Sequence, residues 1–297
     1  MKTRIITGAL LFLFVTPFII FGTYSMAVFV LLLMTLGMIE FLNVKKNANL
    51  NKYPIYMYVL TIIFAFLIIF DIPLFTGSFN YQTGVLDAYI VNPLWIVLSA
   101  VVILSCSVFD KRYTIIDSIY AFTTMLYLSL GLKGMLYLRS VGGVENINHG
   151  TMVIVYVLLV TCLTDIFAYF GGMTCYKLLG ADKVHKLNER ISPKKTIEGT
   201  IIGTLFGTGL GFLFAMLALK NVDLGIAHWS IYLLMSFVLS ICGQIGDLVL
   251  SAVKRHFAIK DYSNLLPGHG GVLDRIDSLL LNSMIAAIFL VTMSYIL

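Results

Sequence analysis

Long apolar segments, separated by short polar stretches, recur along the whole chain. A transmembrane α-helix needs roughly 20 consecutive apolar residues to cross a bilayer. Because 59% of the 297 residues are hydrophobic and only 12% are charged, no soluble domain of ordinary size fits between the segments. Helices are the open structures that satisfy their own backbone hydrogen bonds in lipid. The sequence therefore predicts an all-α, polytopic membrane helix bundle.

The apolar segments predict about nine transmembrane helices. The first segment follows Lys2 and Arg4 and resembles a signal peptide, but no small-residue cleavage site follows, so we interpret it as a retained span. We expect an N-terminal scaffold over 1–150, with possible dimer contacts, and a C-terminal catalytic region over 151–297. The expected spans are about 5–22, 25–43, 55–71, 93–109, 114–137, 152–171, 197–219, 228–250 and 279–297.

The distribution of basic residues predicts an orientation. If the N-terminus is cytoplasmic, all of the 20 Lys and Arg residues except Lys133, Arg139 and Lys220 belong to cytoplasmic segments. This asymmetry agrees with the positive-inside rule, and it does not indicate nucleic-acid binding. The most basic cytoplasmic segments are 172–196 and 251–278. Chemistry on an anionic, water-soluble substrate is therefore expected at the cytoplasmic face, in the C-terminal half.

An aspartate lies near the cytoplasmic end of the eighth predicted span. Charged side chains within a membrane are costly and by default indicate a functional site. Ser251 and Lys254 follow Asp247 at i+4 and i+7, on the same helical stripe. The alternative is an Asp247–Lys254 pair that only anchors the helix end.

Glycines, acids and bases converge in the segment that follows this span. A loop whose backbone can approach a ligand closely is predicted by Pro267, Gly268, Gly270 and Gly271, which surround His269. Asp274 and Asp277 share one face if a helix begins there, and carboxylates at a polyphosphate site suit Mg²⁺. The alternative is a charged turn with Asp277 as a helix N-cap. Cations that would bind phosphate here are Lys254, Arg255, Lys260 and Arg275.

The other basic cytoplasmic segment ends in a pattern typical of a helix start. Ser192 precedes Pro193, and proline is favoured at the first helical position. A helix N-terminus together with Lys194 and Lys195 would bind an anion. The alternative is that these lysines only anchor the loop in the cytoplasm.

Two further features lie within the apolar segments. Asp165 should point into the bundle, because Ala168, Tyr169 and Gly172 share its helical face; the alternative to a functional role is hydrogen bonding to a neighbouring helix. A small-residue stripe in the seventh span predicts close helix packing, and it consists of Gly199, Gly203, Gly207 and Gly211.

These patterns resemble the family of phosphatidate cytidylyltransferases, also called CDP-diacylglycerol synthases. The resemblance is specific over about 165–278, whereas the preceding spans match only in hydropathy. The main matching motifs are Ser251-x-x-Lys254-Arg255, Lys260-Asp261 and His269-Gly270-Gly271-x-x-Asp274-Arg275-x-Asp277. Further similar motifs, in the family's order, are Asp165-x-x-Ala168-Tyr169 and Ser192-Pro193-Lys194-Lys195-Thr196-x-Glu198-Gly199.

The resemblance implies a homodimer that uses CTP, phosphatidic acid and Mg²⁺, with a second cation left open, to make CDP-diacylglycerol and pyrophosphate. By resemblance, Asp247 and Asp274 are the metal-binding carboxylates and Lys195 lies in a polar cavity. Because the reaction brings two anions together, positioning and positive charge matter more than a strong base. The expected catalytic residues are Asp247, Asp274, Lys195, Asp277 and Asp165. The expected substrate-binding residues are Ser192, Lys194, Ser251, Lys254, Arg255, Lys260, His269, Gly270, Gly271 and Arg275.

Two other functions are compatible with parts of this pattern. The acceptor could be another lipid phosphate, such as an ether-lipid precursor. Buried acids also occur in cation-coupled transporters, which often carry inverted repeats with broken helices in both halves. Here the motifs are confined to the C-terminal half, which favours the transferase.

Overall fold

A computed structural model gives the architecture of residues 2–48, 52–71, 89, 91–112, 114–142, 147–180, 183–220, 222, 224 and 228–296. Within these ranges the chain forms nine α-helices and one two-stranded antiparallel sheet. The helices are α1 (Lys2–Ile20), α2 (Thr23–Asn47), α3 (Ile55–Phe70), α4 (Pro93–Phe109), α5 (Ile115–Ser140), α6 (Ile147–Leu179), α7 (Ile197–Phe214), α8 (Trp229–His256) and α9 (Leu273–Ile296). The strands are β1 (Lys186–Asn188) and β2 (Ser192–Thr196), and a π-helix over Ala215–Leu219 continues α7.

Six of the described helices, α2 and α5 to α9, are long and apolar enough to cross a membrane. The other three contain shorter apolar stretches, which are Ile6–Ile20 in α1, Ile55–Phe70 in α3 and Pro93–Phe109 in α4. A helix of 16 residues such as α3 is about 24 Å long, less than the roughly 30 Å of a hydrocarbon core. The chain is thus a polytopic helical membrane protein, as predicted, but nine transmembrane spans are not confirmed.

The chain divides into two compact units. The first comprises Met1–Tyr137 and Phe257–Ile276, and the second comprises Leu138–His256 and Asp277–Leu297. The segment Phe257–Ile276, which contains Gly268, Gly270 and Gly271, therefore belongs with the N-terminal helices. The expected scaffold over 1–150 and catalytic region over 151–297 differ in expected function, and this division stays a prediction.

Helix ends differ from the predicted spans at the places that carry the motifs. α8 continues to His256, so Ser251 and Lys254 are helical residues on the stripe of Asp247. α9 begins at Leu273, which places Asp277 inside the helix. The alternative reading of Asp277 as an N-cap is therefore wrong.

The helix start predicted at Ser192 and Pro193 is also wrong. This stretch is β2, which pairs antiparallel with β1. A proline is tolerated in an edge strand, and both strands of a two-stranded sheet are edges. α7 begins only at Ile197, where the Thr196 hydroxyl accepts a hydrogen bond from the Gly199 amide at 3.0 Å.

The glycine stripe of α7 packs as predicted. All four glycines are buried. A Cβ added to Gly203 would lie 2.7 Å from the Cβ of Ala168 and 2.7 Å from the Thr164 carbonyl oxygen, so only glycine allows α6 and α7 to approach this closely. Leu205 and Phe206 on other faces of α7 are exposed, as expected of side chains that contact lipid.

Candidate active site

The second unit brings together an acid–base cluster from β2, α8 and α9. Lys195, the penultimate residue of β2, forms an ion pair with Asp247 on α8. The Ser251 hydroxyl donates to Asp247 Oδ1 at 3.2 Å, which agrees with their predicted helical stripe. The carboxyl groups of Asp247 and Asp277 are close enough to interact electrostatically. Three of the five expected catalytic residues therefore meet here.

Asp165 and Lys254 join this cluster. Asp165 Oδ2 accepts a hydrogen bond from the Ser278 hydroxyl at 3.2 Å and interacts electrostatically with both members of the ion pair. Lys254, which is buried, acts electrostatically on Asp247 and Asp277. Three carboxyl groups thus share two ammonium groups. A bound cation would offset the charge of the remaining carboxyl group.

The charge of this cluster suits a hard divalent cation. His, Cys, Asp and Glu side chains nowhere gather in groups of three or more that could hold a metal ion, within the described part of the chain. Mg²⁺ needs fewer ligands because it keeps several waters and binds through one or two carboxylates. The neighbouring carboxyl groups of Asp247 and Asp277 fit such an ion. Asp274 belongs to the first unit, and its predicted place on the same ion stays a prediction.

One predicted neighbour of Asp165 does not share its environment. Tyr169 is 68% exposed, whereas Asp165 is half-buried among polar groups. The four-residue separation turns Tyr169 about 40° around the helix from Asp165, enough to bring it to the outer surface. The inward-facing neighbours are Ala168 and Gly172, which approach the glycines of α7.

The remaining expected substrate-binding residues of the second unit lie around the strand connection. Arg255 Nε donates to the carbonyl oxygen of Ile191 at 3.1 Å and ties the end of α8 to this connection. Lys194 is exposed and Ser192 is half-buried. Their roles in substrate binding stay predictions.

In the first unit, the Gly-rich segment forms a tight turn. The Leu266 amide donates to the Gly270 carbonyl at 2.9 Å, and the His269 amide donates to the Leu266 carbonyl at 2.8 Å. Gly268 and Gly270 have φ angles of 76° and 81°, in the left-handed region that favours glycine. We call residues 266–271 the Gly-rich turn.

Asp274 holds the Gly-rich turn from inside the protein. Its Oδ2 accepts hydrogen bonds from the amides of Tyr262 and Gly271, both at 2.9 Å, and only 9% of the residue is exposed. A Cβ on Gly270 would lie 2.8 Å from this oxygen. The glycine therefore lets the backbone approach a carboxylate of the protein itself. Whether Asp274 also binds a metal stays a prediction.

A cavity of about 460 Å³ lies beside the Gly-rich turn. Its two cations, Lys260 and Arg275, are exposed, and such groups bind phosphate oxygens through charge-assisted hydrogen bonds. Four of the expected substrate-binding residues therefore line one cavity. The full lining is Lys260, Asp261, Asn264, Gly268, His269, Gly270 and Arg275.

The sequence patterns assign no role to Glu40, yet it contacts this segment directly. Its carboxylate accepts hydrogen bonds from the Ser263 hydroxyl at 2.6 Å and from the amides of Val272 and Leu273 at 2.9 and 2.8 Å. An acidic residue within an apolar helix such as α2 generally indicates a functional site. No spacing rule, however, connects position 40 with position 272.

Gly271→Ala is expected to destabilise the protein by about 1–3 kcal/mol, as overpacking does in tight cores. The added Cβ would lie 2.6 and 2.7 Å from the two carboxylate oxygens of Glu40. Thermal melting in detergent measures the effect. Gly209→Ala is the matched control, because a Cβ at this helical glycine meets no atom within 4 Å. Equal melting temperatures for the two variants would contradict the close contact.

Comparison with known sequences identifies the family to which these features belong. The sequence pattern described as the cytidylyltransferase family matches residues 2–293. The chain belongs to the cytidylyltransferase family. The match covers the N-terminal helices as well as the motifs of 165–278, so family membership extends beyond the stretch in which individual residues carry the resemblance.

Curated members of this family are similar over nearly the whole chain. A phosphatidate cytidylyltransferase of Staphylococcus haemolyticus (strain JCSC1435) is 32% identical over 296 residues, which cover 99% of this chain and all of the relative. Proteins of the same name from Staphylococcus epidermidis and Staphylococcus aureus (strain COL) are 32% and 31% identical, each with 94% of both chains covered.

Proposed function

We propose that this chain transfers a cytidylyl group from CTP to phosphatidic acid, giving CDP-diacylglycerol and pyrophosphate. The observation that carries the proposal is a cluster in which Lys195 of β2 meets Asp247 and Asp277. The two aspartates lie on helices long enough to cross a membrane, in a chain whose relatives bear that enzyme's name. Carboxylates and ammonium groups at the end of a membrane helix suit chemistry on the phosphate of a lipid.

The transfer makes one bond and breaks another at the α-phosphorus of CTP. A phosphate oxygen of the lipid bonds to this phosphorus, and the bond to the oxygen that bridges to the β-phosphorus breaks, so that pyrophosphate leaves. The lipid phosphate is already anionic at neutral pH, and no strong base is needed. The ammonium groups of Lys195 and Lys254 would offset negative charge as pyrophosphate leaves, more effectively than in water because both are shielded from solvent.

Mg²⁺ is the proposed cofactor. The carboxylates of Asp247 and Asp277 would hold it, and Asp274 is the further ligand that the resemblance suggests. The bound ion would supply positive charge to phosphate oxygens. A second cation remains open.

The cavity beside the Gly-rich turn is the proposed place for phosphate groups of CTP. Lys260 and Arg275 would bind the phosphate oxygens, and the backbone of the turn lies within reach because Gly268 and Gly270 carry no side chain. The chain is also proposed to act as a homodimer, and this proposal rests on the family resemblance alone. Native mass spectrometry in detergent tests the oligomeric state, and a monomer would contradict the proposal.

The catalytic segments are proposed to face the cytoplasm, on the basis of the asymmetric distribution of Lys and Arg. Asn264 is exposed in the loop before the Gly-rich turn. In a variant whose four cysteines are replaced by serine, Asn264→Cys should react with a membrane-impermeant maleimide only after the cells are permeabilised. Efficient labelling of intact cells would reverse the proposed orientation.

Pyrophosphate release from purified protein tests the proposed reaction. With CTP and Mg²⁺, release should require a lipid phosphate, and phosphatidic acid should give CDP-diacylglycerol by product mass. A panel that includes ether-linked phosphatidic acid separates the alternative acceptor, which would be preferred if the ether-lipid reading is right. CTP turnover without any lipid phosphate would reject the transferase, and so would the absence of any turnover by folded protein.

A further inference from the structure

We propose that Glu40 is a positioning residue for cytidylyl transfer: by fixing the first turn of α9, it holds the Gly-rich turn and Asp274 in their working arrangement. This inference rests on the proposed function of the chain. It assigns a part in the reaction to an N-terminal helix, α2, far in sequence from the motifs.

Glu40 supplies hydrogen-bond acceptors to backbone amides at the start of α9. The first amides of an α-helix have no partner inside the helix. Here the amides of Val272 and Leu273 donate to Glu40, at 2.9 and 2.8 Å, and the amide of Gly271 donates to Asp274. Two carboxylates, one from α2 and one from α9 itself, therefore bind three consecutive amides.

The charge of Glu40 makes this arrangement hard to deform. Glu40 is only 4% exposed, and a buried carboxylate is costly unless it is hydrogen-bonded. It has three donors, and it lies at the helix end that carries partial positive charge. Movement of the chain at Val272 would take two of the three donors from the carboxylate and leave the amides of Val272 and Leu273 without it. The start of α9 is thus locked to α2.

The locked segment is also the wall of the cavity proposed for CTP. Gly271 contacts both carboxylates. Gly270, immediately before it, and Arg275, in the first turn of α9, line that cavity. Helix α1 supports the same turn, since the Thr7 hydroxyl donates to the Pro267 carbonyl at 3.1 Å. A displaced start of α9 would therefore change the shape of the cavity.

Glu40→Gln tests the role with little change in side-chain shape. The glutamine keeps one acceptor oxygen but places an NH₂ group opposite a backbone amide, so donor faces donor. We expect the KM for CTP to rise about tenfold, the loss typical of a hydrogen bond to a charged group, while the KM for phosphatidic acid stays unchanged. A variant that merely reduced the amount of folded protein would lower kcat and leave both KM values alone.

Asp117→Asn is the matched control. It removes a carboxylate from the same compact unit, where Asp117 on α5 pairs with Lys45 on α2. This ion pair has no contact with the Gly-rich turn among the described hydrogen bonds. Both KM values should stay at the wild-type level, even if the protein melts at a lower temperature.

Hydrogen exchange of the protein without substrates provides a second measurement. In wild-type protein the amides of residues 271–273 should exchange slowly, because each donates to a buried carboxylate. Glu40→Gln should speed exchange of a peptide covering 266–276 by about tenfold, and Asp117→Asn should leave it unchanged.

The outcomes separate this inference from the proposed function. Faster exchange with an unchanged KM for CTP would overturn the positioning role, and unchanged exchange would overturn the contact itself. If Glu40→Gln does not fold, Ser263→Ala decides: losing one donor to Glu40 should raise the KM for CTP about threefold, and no rise would overturn the role. Wild-type protein without cytidylyl transfer would instead overturn the proposed function.

Discussion

Replacing Asp247 by Asn is expected to lower kcat at least about 100-fold while leaving a folded, membrane-inserted protein. Asparagine keeps the shape and one neutral oxygen, but it removes the charge that pairs with Lys195 and that would bind a cation. Turnover measured against Mg²⁺ concentration, with a melting curve in detergent as the folding control, checks this expectation.

The control variant and a double variant show whether the loss is specific. Asp117→Asn breaks another Asp–Lys ion pair at a helix end and should keep near-normal turnover. The double variant Asp247→Asn, Asp277→Asn should have a turnover scarcely lower than that of Asp247→Asn alone. The effects of substitutions on turnover are not additive when the residues act as one unit. Near-normal turnover of Asp247→Asn at ordinary Mg²⁺ would remove Asp247 from the site.

Asp274→Asn separates metal binding from support of the Gly-rich turn. An asparagine oxygen can still accept from the amides of Tyr262 and Gly271, so a purely supporting role predicts a small loss of turnover. A metal ligand predicts a loss as large as that of Asp247→Asn. The resemblance to the family favours the large loss.

Lys195→Ala should lower turnover about 100-fold, the second of the two largest effects expected. It removes an ammonium group from the acid cluster and leaves the carboxylate of Asp247 without its ion pair. Lys183→Ala removes the same charge from the same cytoplasmic segment, at an exposed position, and should change turnover less than about twofold. Both are assayed with saturating CTP and phosphatidic acid.

Similar small losses in the two lysine variants would contradict this assignment. They would mean that the segment acts only through its total positive charge, which anchors it in the cytoplasm. A large loss in Lys195→Ala that is accompanied by unfolding would be followed by Lys195→Arg, which keeps the charge. Recovery of the fold without recovery of turnover would still indicate a site that requires the lysine geometry.

The parts of the site that depend on local spacing could be predicted from the sequence. Ser251 and Lys254 lie on the stripe of Asp247 because helical periodicity alone puts them there. The glycine packing of α7 follows from the same periodicity. The all-α membrane class follows from the length of the apolar segments, and the short α3 and α4 match the short segments predicted at 55–71 and 93–109.

The parts that depend on contacts between distant segments could not be predicted. Two aspartates three residues apart look equivalent in sequence, yet Asp277 lies beside Asp247 whereas Asp274 supports the Gly-rich turn. The hydroxyl of Thr196 caps α7, although Ser192 before a proline carried the stronger sequence signal. Glu40 shows the same limit, because its partners are more than 220 residues away.

The transfer of label from CTP tests the central claim most directly. Purified protein is given phosphatidic acid, Mg²⁺ and CTP that carries ³²P at either the α- or the γ-phosphate. Cytidylyl transfer predicts that the α-label enters the chloroform-soluble lipid and that the γ-label leaves as water-soluble pyrophosphate. Appearance of the γ-label in the lipid would identify a kinase, and absence of both labels from the lipid would reject transfer to phosphatidic acid.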